Sequence, residues 1–233
     1  MRRFAFACNN NDRLLLSTPT ITAANQGLYV VSSMFDQAEW SMGFRFRLAS
    51  VSGTQFLLQN TISTSTKNKN WEIYMVDNSL RYSTAATGSV SMFADLVAGV
   101  DYYFWMDAYE EYVYCYLFDT SNDTEYGGDF AQSYNLASDS IVTVLSDYEK
   151  SSPATGATIW DLAFIPGVGE HWSTFKHGGI HKYFFYSFWP MREGTGTICR
   201  NLINTAIPLL TGGTFSGNFS WTSDDDDESK RWQ

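Results

Sequence analysis

The chain has 233 residues, 44% of them hydrophobic, 17% aromatic and only 17% charged, a length and texture that fit one large all-β domain. A formal net charge of -10 is the wrong sign for a surface that clamps phosphates, so no nucleic acid is expected as a partner. No apolar run is long enough to span a bilayer, so no membrane insertion is expected either.

At the start, "MRRFAFACNNNDRLLL" places a short apolar run after two arginines. That run is shorter than a secretory h-region, and no signal peptide is expected. Cys8, Cys115 and Cys199 cannot all pair within one chain, and no spacing resembles a metal knuckle. They read as reduced thiols, and a disulfide-stapled secreted fold is disfavoured.

In "WSMGFRFRL", Trp40, Met42, Phe44, Phe46 and Leu48 alternate with Ser41, Gly43, Arg45 and Arg47. This is the pattern of a half-buried strand with one wetter side. "TQFLLQN" follows across the turn signal Ser52-Gly53, which predicts a hairpin between the two. "NKNWEIYMVDNSLRYSTA" predicts a second hairpin, turning at Asp77-Asn78. The spacing in "SMFADLVAGV" predicts one short helical turn.

"DYYFWMDAYEEYVYCYLFDT" is the most informative stretch. Tyr102, Phe104, Met106 and Ala108 share one face of a strand, and Tyr103, Trp105 and Asp107 share the other. After the Tyr109-Glu110-Glu111 connection, Val113, Cys115 and Leu117 form an apolar face, opposed by Tyr112, Tyr114 and Tyr116. With the apolar faces on the core, Tyr103, Trp105, Asp107, Tyr112, Tyr114 and Tyr116 share one outer face, the candidate ligand-binding face. Three readings stay open for it: sugar rings stacking on the tyrosines and tryptophan, a protein interface, or cover by loops or the terminal segment.

"DSIVTVLSD" and "ATIWDLAFIPG" add two strands, while "TISTSTKNKN" and "TSNDTEYGGDFAQS" read as loops. Beyond Gly169 the texture turns aromatic and basic in "EHWSTFKHGGIHKYFFYSF", and "NTAIPLLTGGTFSGNFSW" reads as turns and a short strand. The acidic run Asp224 to Glu228 reads as a solvated tail. The expected organisation is one β-sandwich over 1–222, with 170–222 supplying a completing strand or an arm, and an acidic tail over 223–233.

The order of these segments resembles the concanavalin A-like lectin/glucanase superfamily, particularly its laminin G-like jelly-roll modules. "RRFAFACNNNDRLLLST" resembles the first strand, loop and apolar strand of such modules, and "EWSMGFRFRLAS" the strand that carries their aromatic core. "LVAGVDYYFWMDAYEEYVYCYLFD" resembles the central hairpin, although its closing L-Y-x-D-G pattern is Tyr116-Leu117-Phe118-Asp119-Thr120 here. "FWPMREGTGTICRNL" resembles an opening strand, W-x-x-x-E-G-x-G, yet it stands near the C-terminus. The resemblance implies an all-β, antiparallel jelly-roll β-sandwich. It also implies that "FWPMREGTG" pairs with the N-terminal strand around Phe4 to Cys8, with Trp189 in the core.

Chemistry beyond binding finds little support. The glucanase branch carries E-x-D-x-x-E on one strand, and no such string occurs here. Glu72 and Asp77 lie five apart on opposite faces, and Glu110 and Glu111 read as a turn beside Asp107. His171, His177 and His181 flank Gly178-Gly179, which breaks any helical register, and read as solvated or packing side chains. The only cofactor the resemblance suggests is calcium at the sandwich rim, with Asn11, Asp12 and Asp119 as weak candidates. A lectin-type sandwich without a signal peptide and with unpaired thiols fits a virion protein, assembled in the host cytoplasm and released by lysis. The expected function is therefore a non-enzymatic phage virion protein, a capsid decoration or a tail- or fibre-associated adhesin. Its expected partners are other virion proteins, copies of itself and host-surface glycan. A free carbohydrate-binding lectin is the alternative, followed by a divergent glycoside hydrolase.

Overall fold

The computed structural model describes residues 17–20, 27–32, 38–63, 65, 68–85, 88–109, 111–131, 140–147, 154–169, 172–176, 187–189, 191, 198–199, 209–212 and 220–223. Among them the strands run β1 (Ser17–Thr20), β2 (Gly27–Ser32), β3 (Trp40–Arg47), β4 (Thr54–Thr61), β5 (Lys69–Val76), β6 (Ser79–Thr84), β7 (Val90–Phe93) and β8 (Asp101–Ala108). They continue with β9 (Tyr112–Asp119), β10 (Thr124–Ala131), β11 (Ser140–Val144) and β12 (Thr158–Pro166). The short helix α1 (Trp172–Lys176) precedes β13 (Ser187–Trp189), β14 (Ile198–Cys199), β15 (Leu209–Gly212) and β16 (Ser220–Ser223).

These strands form two antiparallel sheets. One has the order β10-β9-β8-β3-β12-β1-β16, with β13 also on β12; the other has the order β14-β15-β2-β11-β4-β5-β6-β7. The architecture is the expected jelly-roll β-sandwich. Alternation builds it directly, because the apolar face of each long strand lands between the sheets. Trp40, Phe44, Phe46, Phe104, Met106, Val113, Cys115 and Leu117 from the first sheet meet Leu58, Trp71, Ile73, Met75 and Tyr82 from the second. Trp40 and Trp71 stack across the gap with ring centroids 5.4 Å apart, an arrangement worth roughly 1 kcal/mol beyond the area it buries.

Several expectations change on contact with the structure. β3 and β4 do not form a hairpin: β3 pairs with β8 and β12, whereas β4 pairs with β5 and β11. The turn at Ser52-Gly53, with Gly53 at φ 73°, carries the chain across the sandwich instead of back along one sheet. The hairpin β5–β6 does turn at Asp77-Asn78, with Asp77 in the left-handed region at φ 52°, which an aspartate tolerates better than most residues. "SMFADLVAGV" supplies strand β7 and no helix. "TSNDTEYGGDFAQS" is not all loop, since β10 pairs along its whole length with β9.

Among the described residues the terminal segment adds four strands to the sheets, of which β14 pairs with β15 at the edge of the second sheet. β13 pairs with β12 through Leu162↔Trp189 and Phe164↔Ser187. β15 lies beside β2 and β16 beside β1, two strands where the sequence suggested one. The expected partner of β13 was the strand around Phe4 to Cys8, which lies outside the described residues; the partner observed is β12. Trp189 is buried in the core, as its place in the motif implied.

Candidate functional site

The outer face of the first sheet carries the aromatic residues singled out from the sequence, and the strand register arranges them in rows. One row runs Ser41–Asp107–Tyr114–Asp129 across β3, β8, β9 and β10. The next runs Gly43–Trp105–Tyr116–Gly127, and the third Arg45–Tyr103–Phe118–Glu125. Tyr103, Trp105, Asp107, Tyr112, Tyr114 and Tyr116 therefore share one face, because a period of two in each strand keeps them there.

The wetter side expected for β3 is mostly not wet. Ser41 and Arg45 are buried along with Trp105 and Tyr103. A second apolar cluster of Tyr103, Trp105, Ala163, Ile165, Trp172, Phe175 and Phe188 lies on this face, with Tyr116 and Phe118 packed at its margin. Its cover is α1. Trp172 stacks on Tyr116 at 5.6 Å with planes 16° apart, and Phe175 lies 5.2 Å from Trp105. Gly43 makes room for this layer: a Cβ there would stand 2.3 Å from the Trp105 ring.

Polar contacts pin the cover in place. Arg45 pairs with Asp161 (Nη1 to Oδ2, 3.3 Å) with both side chains buried. Its guanidinium lies 4.3 Å from the Tyr103 ring centre, and Nη2 donates to the Phe175 carbonyl at 3.4 Å, in the last turn of the helix. Asp161 sits at φ 52° where the β12 register shifts between Trp160 and Ala163; this bulge gives β12 an extra residue opposite β3, and that residue carries the carboxylate. At the other end, Trp172 Nε1 donates to Glu125 Oε1 at 2.9 Å and Lys176 Nζ to Glu125 Oε2 at 2.7 Å.

The row nearest the β8–β9 turn has a different character. Tyr112 and Tyr114 are each 39% exposed, while Trp105 one row away is 0% exposed. Tyr109 stacks on Tyr112 at 4.6 Å, and Tyr114 stands edge-on to both, 5.6 Å from Tyr112 and 6.4 Å from Tyr109. The backbone bond from Tyr109 N–H to Tyr112 C=O (2.8 Å) closes the turn that brings them together. Beside Tyr114 in the register, Asp107 is buried and accepts from Ser41 Oγ at 2.6 Å and Trp105 Nε1 at 2.8 Å. Burial, and then the Asp107 carboxylate, hold the phenols of Tyr109 and Tyr116 above their ordinary value.

On the edge strand, Gly127 leaves the space beside Tyr116 open. A Cβ at Gly127 would meet the Tyr116 ring at 3.5 Å, ordinary contact distance, and the backbone there is extended. Exposed Asp129 stands opposite Tyr114. The open patch is thus a three-tyrosine platform with a carboxylate on the adjoining edge. It offers ring faces to apolar C–H surfaces and oxygen acceptors to hydroxyls. Tyr109, Gly127 and Asp129 were not singled out from the sequence, and parity along β8 and the pairing of β10 are what reveal them.

The other candidates distribute as follows. Asp119 is buried, and its Oδ1 accepts from Ser121 N–H at 2.8 Å and Ser121 Oγ at 2.6 Å. It thereby shapes the β9–β10 turn. Asn11 and Asp12 lie outside the described residues, as do His171, His177 and His181. Among the described residues no group of three or more His, Cys, Asp and Glu is placed to share a metal ion. Glu72 lies on the other sheet, held by Gln59, Lys69 and Ser83. Asp77 is at the β5–β6 turn, Glu111 is exposed at the β8–β9 turn, and Glu110 lies outside the described residues.

No protein-family model matches the chain, and no curated protein sequence matches it. Solved structures do share its fold. A putative carbohydrate binding protein from Bacteroides ovatus is similar with a TM-score of 0.59 at 8% identity, covering 88% of this chain and 61% of that one. Full-length tailspike protein 2 from an Escherichia coli O157:H7 bacteriophage is similar with a TM-score of 0.54 at 11% identity, covering 76% of this chain and 30% of that one. The enzymatically active domain of a bacteriophage tailspike protein 2 gives a TM-score of 0.52 at 12% identity, over 80% of this chain and 36% of that one. The chain thus spans about a third of each tailspike chain and less than two thirds of the Bacteroides protein.

Proposed function

We propose that the chain is a non-enzymatic glycan-binding sandwich, and that the tyrosine platform at the β8–β9 turn is its binding surface. The observation that carries this reading is the contrast within one sheet face. Trp105 and Tyr103 are buried in the layer under α1, whereas Tyr112 and Tyr114 stand exposed, stacked with Tyr109 and beside Asp129. Tyrosines combine a flat apolar face with a polar tip, which suits the C–H face and hydroxyl rim of a sugar ring. The fold shared with a protein described as a putative carbohydrate binding protein lends the reading support.

The non-enzymatic part rests on the state of the buried carboxylates. Asp107, Glu72, Asp119 and Asp161 are held by their own neighbours at separate places in the fold, which supports a structural role for each. A glycosidase instead keeps two carboxylates facing one another across a substrate.

We place the protein on a phage virion, as a capsid decoration or a tail- or fibre-associated adhesin that meets host-surface glycan. The fold shared with a phage tailspike protein supports this placement. Mass spectrometry of purified phage particles tests it: the chain should be among their proteins, and its absence would remove the virion role.

The binding reading is tested on an immobilised glycan panel with the wild type and Tyr112→Ala/Tyr114→Ala. Losing two stacking rings should weaken binding about tenfold or more, with no reducing ends released by either protein. Unchanged binding by the double variant would overturn the site.

A further inference from the structure

The charge around the platform narrows what it binds. Tyr114 lies in register between two aspartates, Asp107 on β8 and Asp129 on β10. Glu111 is exposed at the turn that carries Tyr109 and Tyr112. Among the described residues the cations on this face are Arg45, Arg47 and Lys176, and each sits against a carboxylate: Asp161, Asp101 and Glu125 respectively. These three pairs lie in the rows away from the open tyrosines. Among the described residues, the charge an approaching ligand meets beside the open tyrosines is therefore negative, from Asp129 and Glu111.

From this arrangement we infer that the platform takes uncharged glycan, built from neutral hexose or N-acetylhexosamine units, and rejects glycans carrying carboxylate or sulfate groups. The inference rests on the glycan-binding reading above and sharpens it. A neutral sugar stacks its C–H face on Tyr112 or Tyr114 and donates hydroxyl hydrogens to Asp129, which as a carboxylate is acceptor-only. A sialylated, uronate or sulfated sugar would bring a second anion within several ångströms of Asp129 and Asp107. At an effective dielectric near 20, two like charges about 8 Å apart repel by enough to lower affinity roughly tenfold or more. Asp129 is exposed and its repulsion acts through solvent, so salt should weaken it.

The test uses a panel of immobilised neutral hexose and N-acetylhexosamine oligosaccharides. Each is paired with its sialylated, carboxylated or sulfated derivative and read at low and at high salt. At low salt the neutral member of each bound pair should bind about tenfold more tightly than its acidic counterpart, and the gap should narrow as salt rises. Asp129→Asn should narrow the gap, and Asp129→Lys should reverse its sign. Acidic members that bind as tightly as neutral ones, through Tyr112 and Tyr114, would overturn this inference and leave the glycan-binding reading standing. If no member of the panel bound in a manner sensitive to Tyr112→Ala/Tyr114→Ala, the glycan-binding reading itself would fall, and this inference with it.

Discussion

The two halves of the outer face on β3, β8, β9 and β10 are made of the same residue types and meet different fates. In the half around Trp105, Tyr103 and Arg45, a five-residue helix places Trp172 and Phe175 over the rings, and a buried ion pair ties the layer down. In the half around Tyr114, the same strands carry tyrosines that are over a third exposed. Aromatic content alone therefore does not mark a binding surface. What distinguishes the halves is whether the chain supplies its own cover.

Substitutions that follow this division should show a graded loss of stability. Trp105→Ala, in the covered half, should cost about 3–5 kcal/mol, the usual penalty for deleting a large buried ring. Gly43→Ala should cost about 1–3 kcal/mol, because the new methyl overlaps the Trp105 ring and forces the layer to shift. Tyr114→Ala, in the open half, should cost about 1 kcal/mol or less. Denaturant melts of the three variants check the series. A Tyr114→Ala variant as unstable as Trp105→Ala would erase the distinction between the halves.

A smaller effect is expected at alkaline pH. Burial pushes the Tyr102 phenol above its ordinary value of 10.0; the bond it accepts from Val97 N–H offsets this in part. Tyr116 is raised as well, chiefly by burial and then by Asp107. In each case the unfolded chain loses its proton first. The stability linked to these groups is fully present below pH 10 and is lost as pH rises from there through the folded-state values. Tyr102→Phe and Tyr116→Phe should each make the fall above pH 10 shallower than in the wild type, as followed by denaturant melts. A fall of unchanged steepness in both variants would assign it to other groups.

Much of this was legible in the sequence where alternation was strong. Trp40 to Leu48, Tyr102 to Ala108 and Val113 to Leu117 each present a clean apolar face, and the core takes all three. β10 is hidden in the sequence for a physical reason. An edge strand has one free side, and "TEYGGDFA" spends its outer positions on Glu125, Gly127 and Asp129, which read as a loop. The β3–β4 connection is ambiguous in the sequence because a glycine turn serves equally for a hairpin and for a crossing between sheets. The cover over Trp105 had a local signal, with Trp172, Phe175 and Lys176 at i, i+3 and i+4 on one helical side. Only the tertiary fold, however, shows which rows that helix reaches.

Ligand is expected to meet the sandwich at the exposed tyrosines, Tyr112 and Tyr114. Amide hydrogen exchange, read peptide by peptide on the protein with and without a neutral glycan that it binds, tests this most directly. Exchange should slow over the β8–β9 turn and along β10, with β4 to β7 on the opposite sheet unchanged. Slowed exchange over β4 to β7, with none at the turn or on β10, would contradict it.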